Sequence, residues 1–173
     1  MRYIFVLILA FASFSQSAFA QAQSETQNKT PKADSNSLAV QKAADDWIAA
    51  FNNLEWETFR SSFTDDATVF FPFVQVPRRA TGRGEVETLF KQFFDALRKR
   101  KSAPPYQNID PKDGQIQMLG KDAAIFTFHL PGEESFNRRT LVFRKVKGKW
   151  FIAHLHASVF TKPKTVPSET SKT

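Results

Sequence analysis

Residues 138–160 read RRTLVFRKVKGKWFIAHLHASVF, and this stretch decides the architecture. Arg138 to Lys145 and Trp150 to Phe160 are rich in β-branched and aromatic residues, and the link between them, Val146 to Lys149, contains Gly148. Two such runs around a short glycine-bearing link form an antiparallel hairpin. Side chains alternate along a strand, so Trp150, Ile152, His154, His156 and Ser158 are expected on one face. Phe151, Ala153, Leu155 and Ala157 then share the other. The first face grades from apolar to polar, which suits a pocket wall running from a dry floor to a polar rim.

Upstream of this hairpin the pattern continues as strand. Gln115 to Leu119 and Ala123 to Leu130 flank Gly120-Lys121-Asp122, a second hairpin turn. Further back the period changes to that of helices. Val40, Ala44, Trp47 and Phe51, with Ala43 and Ile48, form one apolar stripe over Leu38 to Asn52, with Ser35 or Ser37 as its cap. A short second helix carries Trp56, Phe59 and Phe63. A third follows Gly82-Arg83-Gly84 and shows Val86, Leu89, Phe90, Phe93, Phe94 and Leu97. Its end, Arg98 to Lys101, is basic, as the negative end of a helix dipole favours. Thr68 to Phe73 is the one strand set among the helices, and Pro72 and Pro77 suit an edge. Helices first and an antiparallel meander after argue an α+β fold: three helices packed on a strongly curved, mostly antiparallel sheet. Alternating βαβ units are absent.

Composition narrows the class without naming a function. The chain has 173 residues, enough for one domain with a real core, and no Cys, which excludes a disulfide scaffold, a thiolate zinc site and a cysteine nucleophile. Nineteen Phe against two Tyr and three Trp promise a bulky, dry interior, one able to wrap around an apolar cavity. Arg2, the apolar run Ile4 to Phe14 and Ala18-Phe19-Ala20 read as a signal peptide over residues 1–20, cleaved near Ala20. The mature protein is therefore expected to be periplasmic or secreted, with no stable membrane insertion after cleavage. Residues 21–37 are polar and read as a flexible linker, residues 38–161 as the folded domain, and 162–173 as a disordered tail. The net charge is +7, but the cations are scattered and the chain is exported, so no nucleic-acid partner is expected. Phosphate-loop, nucleophile-elbow and zinc-protease motifs are missing from the sequence.

Several segments resemble a known family. Ala43-Ala44-Asp45-Asp46-Trp47, Asn52-Asn53-Leu54-Glu55-Trp56 and Phe63-Thr64-Asp65-Asp66-Ala67 are similar to the opening of SnoaL-like proteins of the nuclear transport factor 2-like superfamily. Thr81-Gly82-Arg83-Gly84 is similar to their entry into the third helix, and Arg139 to Arg144, Gly148-Lys149-Trp150 and His154 to Ser158 to their closing hairpin. One departure is Leu54-Glu55, where relatives often have Gly-Asp. The resemblance implies a cone open at one end to a pocket, and homodimers packed through the outer sheet face. Polyketide cyclases, ketosteroid isomerase-like enzymes, dehydratases, kinase association domains and many binding proteins share it, so it implies no single reaction.

Trp47, Phe70, Phe90, Arg139, His154 and His156 are the candidate ligand-binding residues, expected to face a common void. His154, His156 and Asp65 are the candidates for a general base, with satisfied structural roles as their alternative. Asp65-Asp66 also suits turn and cap chemistry. Beyond the signal the one Tyr is Tyr106, in a Pro-rich loop, which argues against an isomerase needing a buried phenol to hold an oxyanion. Arg83, at a helix entry, fits an ion pair or a ligand anion. His129, His154 and His156 lack a carboxylate spacing that completes a metal site, so neither metal nor cofactor is expected. The leading expectation is a small, largely apolar ligand in the cone of a homodimer. An isomerase, cyclase or dehydratase-like enzyme using a pocket His or Asp, and an oligomerisation or interaction module, are the alternatives.

Overall fold

The computed structural model describes residues 34–162. The expected signal peptide, most of the expected linker and nearly all of the expected tail lie outside the described residues.

The apolar stripe of the first helix folds as α1 (Ser35–Asn53), burying Val40, Ala44, Trp47, Ile48 and Phe51. It starts three residues before Leu38, so Ser35 and Ser37 lie inside it and Asp34 stands at the cap position. Its end is closed by Leu54 in a left-handed conformation (φ 54°). Leu54 N–H bonds Phe51 O and Glu55 N–H bonds Ala50 O, the paired closure usually made around glycine. Leu54 is 1% exposed, so burial of its side chain offsets the backbone strain.

Two further helices complete the layer: α2 (Trp56–Ser61) and α3 (Arg83–Arg100). Phe59 of α2 is the hub of their packing, with ring centroids 4.7 Å from Phe90 and 4.9 Å from Phe94 of α3. Phe63 is not helical, as the apolar spacing suggests, but opens β1 (Phe63–Phe70), where it meets the Phe59 ring at 5.4 Å.

The remaining strands are β2 (Ala80–Thr81), β3 (Lys112–Met118), β4 (Ala123–Pro131), β5 (Ser135–Val146) and β6 (Lys149–Thr161). They form one six-stranded sheet in the order β2-β1-β6-β5-β4-β3. The β3–β6 meander is antiparallel, whereas β1 lies parallel to β6, making the sheet mixed. Lys147 and Gly148 both have positive φ, as a tight primed turn between β5 and β6 requires.

One irregularity in β6 changes the reading of the closing strand. Phe143 of β5 pairs with Ile152, but Val142 pairs with His154, leaving Ala153 as an extra residue. A bulge of one residue inverts the alternation beyond it. Trp150 and Ile152 are buried on the helix side, and so are Leu155 and Ala157 after the bulge. His154, His156 and Ser158 consequently turn to the outer face, so the five residues expected to share one face do not.

Candidate functional site

Between the helices and the inner sheet face lies a cavity of about 310 Å³. That is near the lower end of the roughly 300–1,000 Å³ typical of small-molecule sites. Trp47 and Phe51 of α1, Phe90 and Phe93 of α3, and Phe71 and Phe73 from the chain leaving β1 supply six aromatic rings. Leu155, Ala157 and Val159 line it from β6, all placed inward by the bulge at Ala153. Arg139 and Asn137 reach it from β5, paired across the ladder with Ala157 and Val159.

A loop closes one side. Gln107, Asn108 and Ile109 line the cavity, and Asn52 at the end of α1 holds them there. The Asn52 carbonyl accepts from the N–H groups of Tyr106 (2.7 Å) and Gln107 (3.1 Å). Its side chain accepts from Ile109 N–H (2.8 Å) and donates to Ile109 O (3.1 Å). In sequence Asn52 suggests only a helix end, and the loop has no periodicity, so neither is readable there as part of a site.

Arg139 is the cavity's one cation among these lining residues. Its Nη1 donates to the backbone oxygens of Arg138 (3.0 Å) and Ser158 (3.4 Å). Burial pushes its guanidinium below the usual arginine value. Among the described residues the lining holds no Asp, Glu, His or Tyr. Trp47 Nε1 is buried without a hydrogen-bond acceptor among the described residues.

The structure thus brings Trp47, Phe90 and Arg139 together and separates them from Phe70, His154, His156 and Asp65. His154 faces outward and its Nδ1 lies 2.7 Å from Thr68 Oγ1, while Phe70 rests against His154 and His156 with centroids 6.0 and 5.6 Å away. The bulge is the reason for both histidines; Phe70 follows because it pairs with His156 on the same face. Desolvation, then the charges of His156 and Arg79, hold the His154 imidazole below its usual pKa. His129 packs on Phe136 (4.8 Å) with Asp113 3.6 Å from its Nδ1. Among the described residues no group of three or more His, Cys, Asp or Glu is arranged to hold a metal ion.

Asp65 lies in a separate open depression and pairs with Arg83 Nη1 at 3.1 Å. Arg83 also donates to Phe63 O, which ties the entry of α3 to the start of β1. Beside them Asp66 takes a two-pronged contact from Arg144 (2.6 and 3.1 Å), and those hydrogen bonds hold its carboxyl at about 2. These carboxylates serve surface ion pairs.

Residues 40–162 match the model of the SnoaL-like domain. No curated protein matches the chain. Among solved structures, a candidate dehydratase of the NTF2-like family from Streptomyces avermitilis is 20% identical with a TM-score of 0.60, covering 72% of this chain and 96% of its own. A ketosteroid isomerase-like protein from Erwinia carotovora atroseptica is 16% identical with a TM-score of 0.56, covering 72% and 96%. The association domain of C. elegans CaMKII is 14% identical with a TM-score of 0.51, covering 71% and 95%. At these identities the likeness is one of fold. With the family model spanning the helices, the sheet and the cavity between them, the chain belongs to the SnoaL-like family, and its fold is that of the NTF2-like structures.

Proposed function

We propose that the domain binds a small, largely apolar molecule in its cone. The observation that carries this reading is the cavity itself: six aromatic rings around about 310 Å³ of space, with four polar side chains at its wall. An isomerase or dehydratase acting by proton abstraction needs a base within hydrogen-bond reach of the bound molecule. His154, His156 and Asp65 stand outside the cavity, so binding is favoured over that chemistry. Titration calorimetry with naphthalene-sized probes tests it. Saturable binding that is lost when Ala157→Phe fills the cavity supports the reading; no binding by the wild type overturns it.

A second reading, self-association through the outer sheet face, rests on a different observation. Phe70 is 38% and Phe160 49% exposed on that face, beside the half-buried Thr140 and Val142. Sedimentation equilibrium of the wild type and of Phe70→Lys distinguishes a dimer that the charge disrupts from a monomer. Export through the N-terminal signal completes the proposal. Mass spectrometry of the protein from its native host should find Gln21 as the first residue.

A further inference from the structure

Four other arginines of the domain find carboxylates, while Arg79, Arg98, Arg100 and Arg138, which do not line the cavity, have none within 4.0 Å among the described residues. Arg60 meets Glu57 and Glu87, Arg78 meets Glu85, Arg83 meets Asp65 and Arg144 meets Asp66. Arg139 is half-buried against an apolar cavity and has no carboxylate within 4.0 Å among the described residues. Only its Nη1 is engaged, and only by backbone oxygens. Nε and Nη2, the two donors that form one edge of the guanidinium fork, have no acceptor among the described residues. The side-chain amides of Gln107 and Asn108, lining the same cavity, likewise make no hydrogen bond to them.

A cation drawn out of water without an anion is costly, and a paired anion recovers much of that cost. Arginine presents parallel N–H groups whose spacing matches the two oxygens of a carboxylate. A phosphate would bring close to two negative charges to a wall that carries one cation, leaving the second uncompensated. The rings surrounding Arg139 suit an apolar body attached to a single planar anionic head.

We infer that the molecule held in the cone is an apolar monocarboxylic acid whose carboxylate is gripped by Arg139, with Gln107 and Asn108 as supplementary donors. This rests on the reading of the cavity as a binding site. The fatty or aromatic part lies among Trp47, Phe51, Phe90 and Phe93, and the acid group meets Arg139 near the Ala157–Val159 end of β6.

The test compares 2-naphthoate with the uncharged 2-naphthalenemethanol by titration calorimetry at pH 7, on the full mature chain. The wild type is expected to prefer the acid by about tenfold or more. Arg139→Gln should lose that preference while keeping its affinity for the alcohol, and Arg139→Lys should keep part of it. Ala157→Phe should abolish binding of both probes. Equal affinity of the wild type for acid and alcohol overturns this inference and leaves the cavity reading standing. Failure of both probes to bind overturns the two together. Tighter binding of 2-naphthyl phosphate than of 2-naphthoate, or an acid preference that survives in Arg139→Gln, overturns the carboxylate assignment. Equal affinity of the wild type for acid and alcohol overturns the inference without any variant, and the partial loss in Arg139→Lys carries the assignment if Arg139→Gln does not fold.

Discussion

Thr68 Oγ1 and His154 Nδ1 lie 2.7 Å apart across the parallel β1–β6 pair, tying a neutral imidazole to the outer face of the sheet. Burial, together with the charges of His156 and Arg79, opposes protonation there, and a hydrogen bond to the Thr68 backbone only partly counters them. The unfolded chain, with an ordinary imidazole near 6.5, binds that proton more readily than the folded one. Stability contributed by His154 is therefore fully present above pH 6.5 and is lost as pH falls through the lower folded-state value. Urea unfolding midpoints between pH 8 and 4.5 should fall more steeply in the wild type than in His154→Asn. Parallel curves for the two proteins would contradict this.

Asn52→Ala removes both side-chain bonds to Ile109 and loosens the Ile109 end of the loop that closes the cavity. The expected cost is about 1–3 kcal/mol, because partly buried backbone groups of Ile109 lose their partners. Binding of an apolar probe should weaken along with stability, since Ile109, which lines the cavity, loses its side-chain anchorage while Tyr106 and Gln107 keep theirs on the Asn52 carbonyl. Unchanged affinity with reduced stability would show that the loop does not shape the cavity.

Leu54→Gly sets two effects against each other. Glycine relieves the left-handed strain at φ 54°, worth about 1–2 kcal/mol. Loss of a fully buried leucine costs about 2–5 kcal/mol. The substitution should therefore destabilise by about 0–4 kcal/mol in guanidinium unfolding. A stabilised variant would mean that the strain outweighs the packing.

Trp47→Phe should be mild, within about 1.5 kcal/mol of wild type. The indole N–H it deletes is buried without an acceptor among the described residues, so its removal offsets part of the lost packing. Trp47→Ala, which opens a hole beside Phe51 and Phe59, should cost about 3–5 kcal/mol. Thermal unfolding of the three proteins gives the comparison, and equal losses for Phe and Ala would contradict it.

The elements were legible wherever an apolar period ran unbroken. The Val40–Ala44–Trp47–Phe51 stripe and the hairpin around Gly148 fold as their spacing dictates, because each must bury one face. Phe63 misled because helix and strand both accept a ring at that junction, and its role was settled by contact with Phe59. The site was only half legible. Trp47, Phe90 and Arg139 lie on regular elements whose inward face follows from alternation or stripe. His154 and His156 do not, since pairing with Val142 and Thr140 of β5 sets their direction and no local pattern announces the extra Ala153. The Gln107–Ile109 loop is fixed by Asn52 from 57 residues away in the chain, a long-range bond that no local sequence signal encodes.

Ala153 also marks how near two very different chambers lie to each other. Were Ala153 paired as an ordinary strand residue instead of bulged, His154, His156 and Ser158 would replace Leu155, Ala157 and Val159 on the cavity wall. A greasy receptacle would become one furnished with two proton-transferring rings and a hydroxyl, on the same scaffold. Whether this one residue is bulged or paired decides what furnishes the chamber more sharply than the identity of any side chain does.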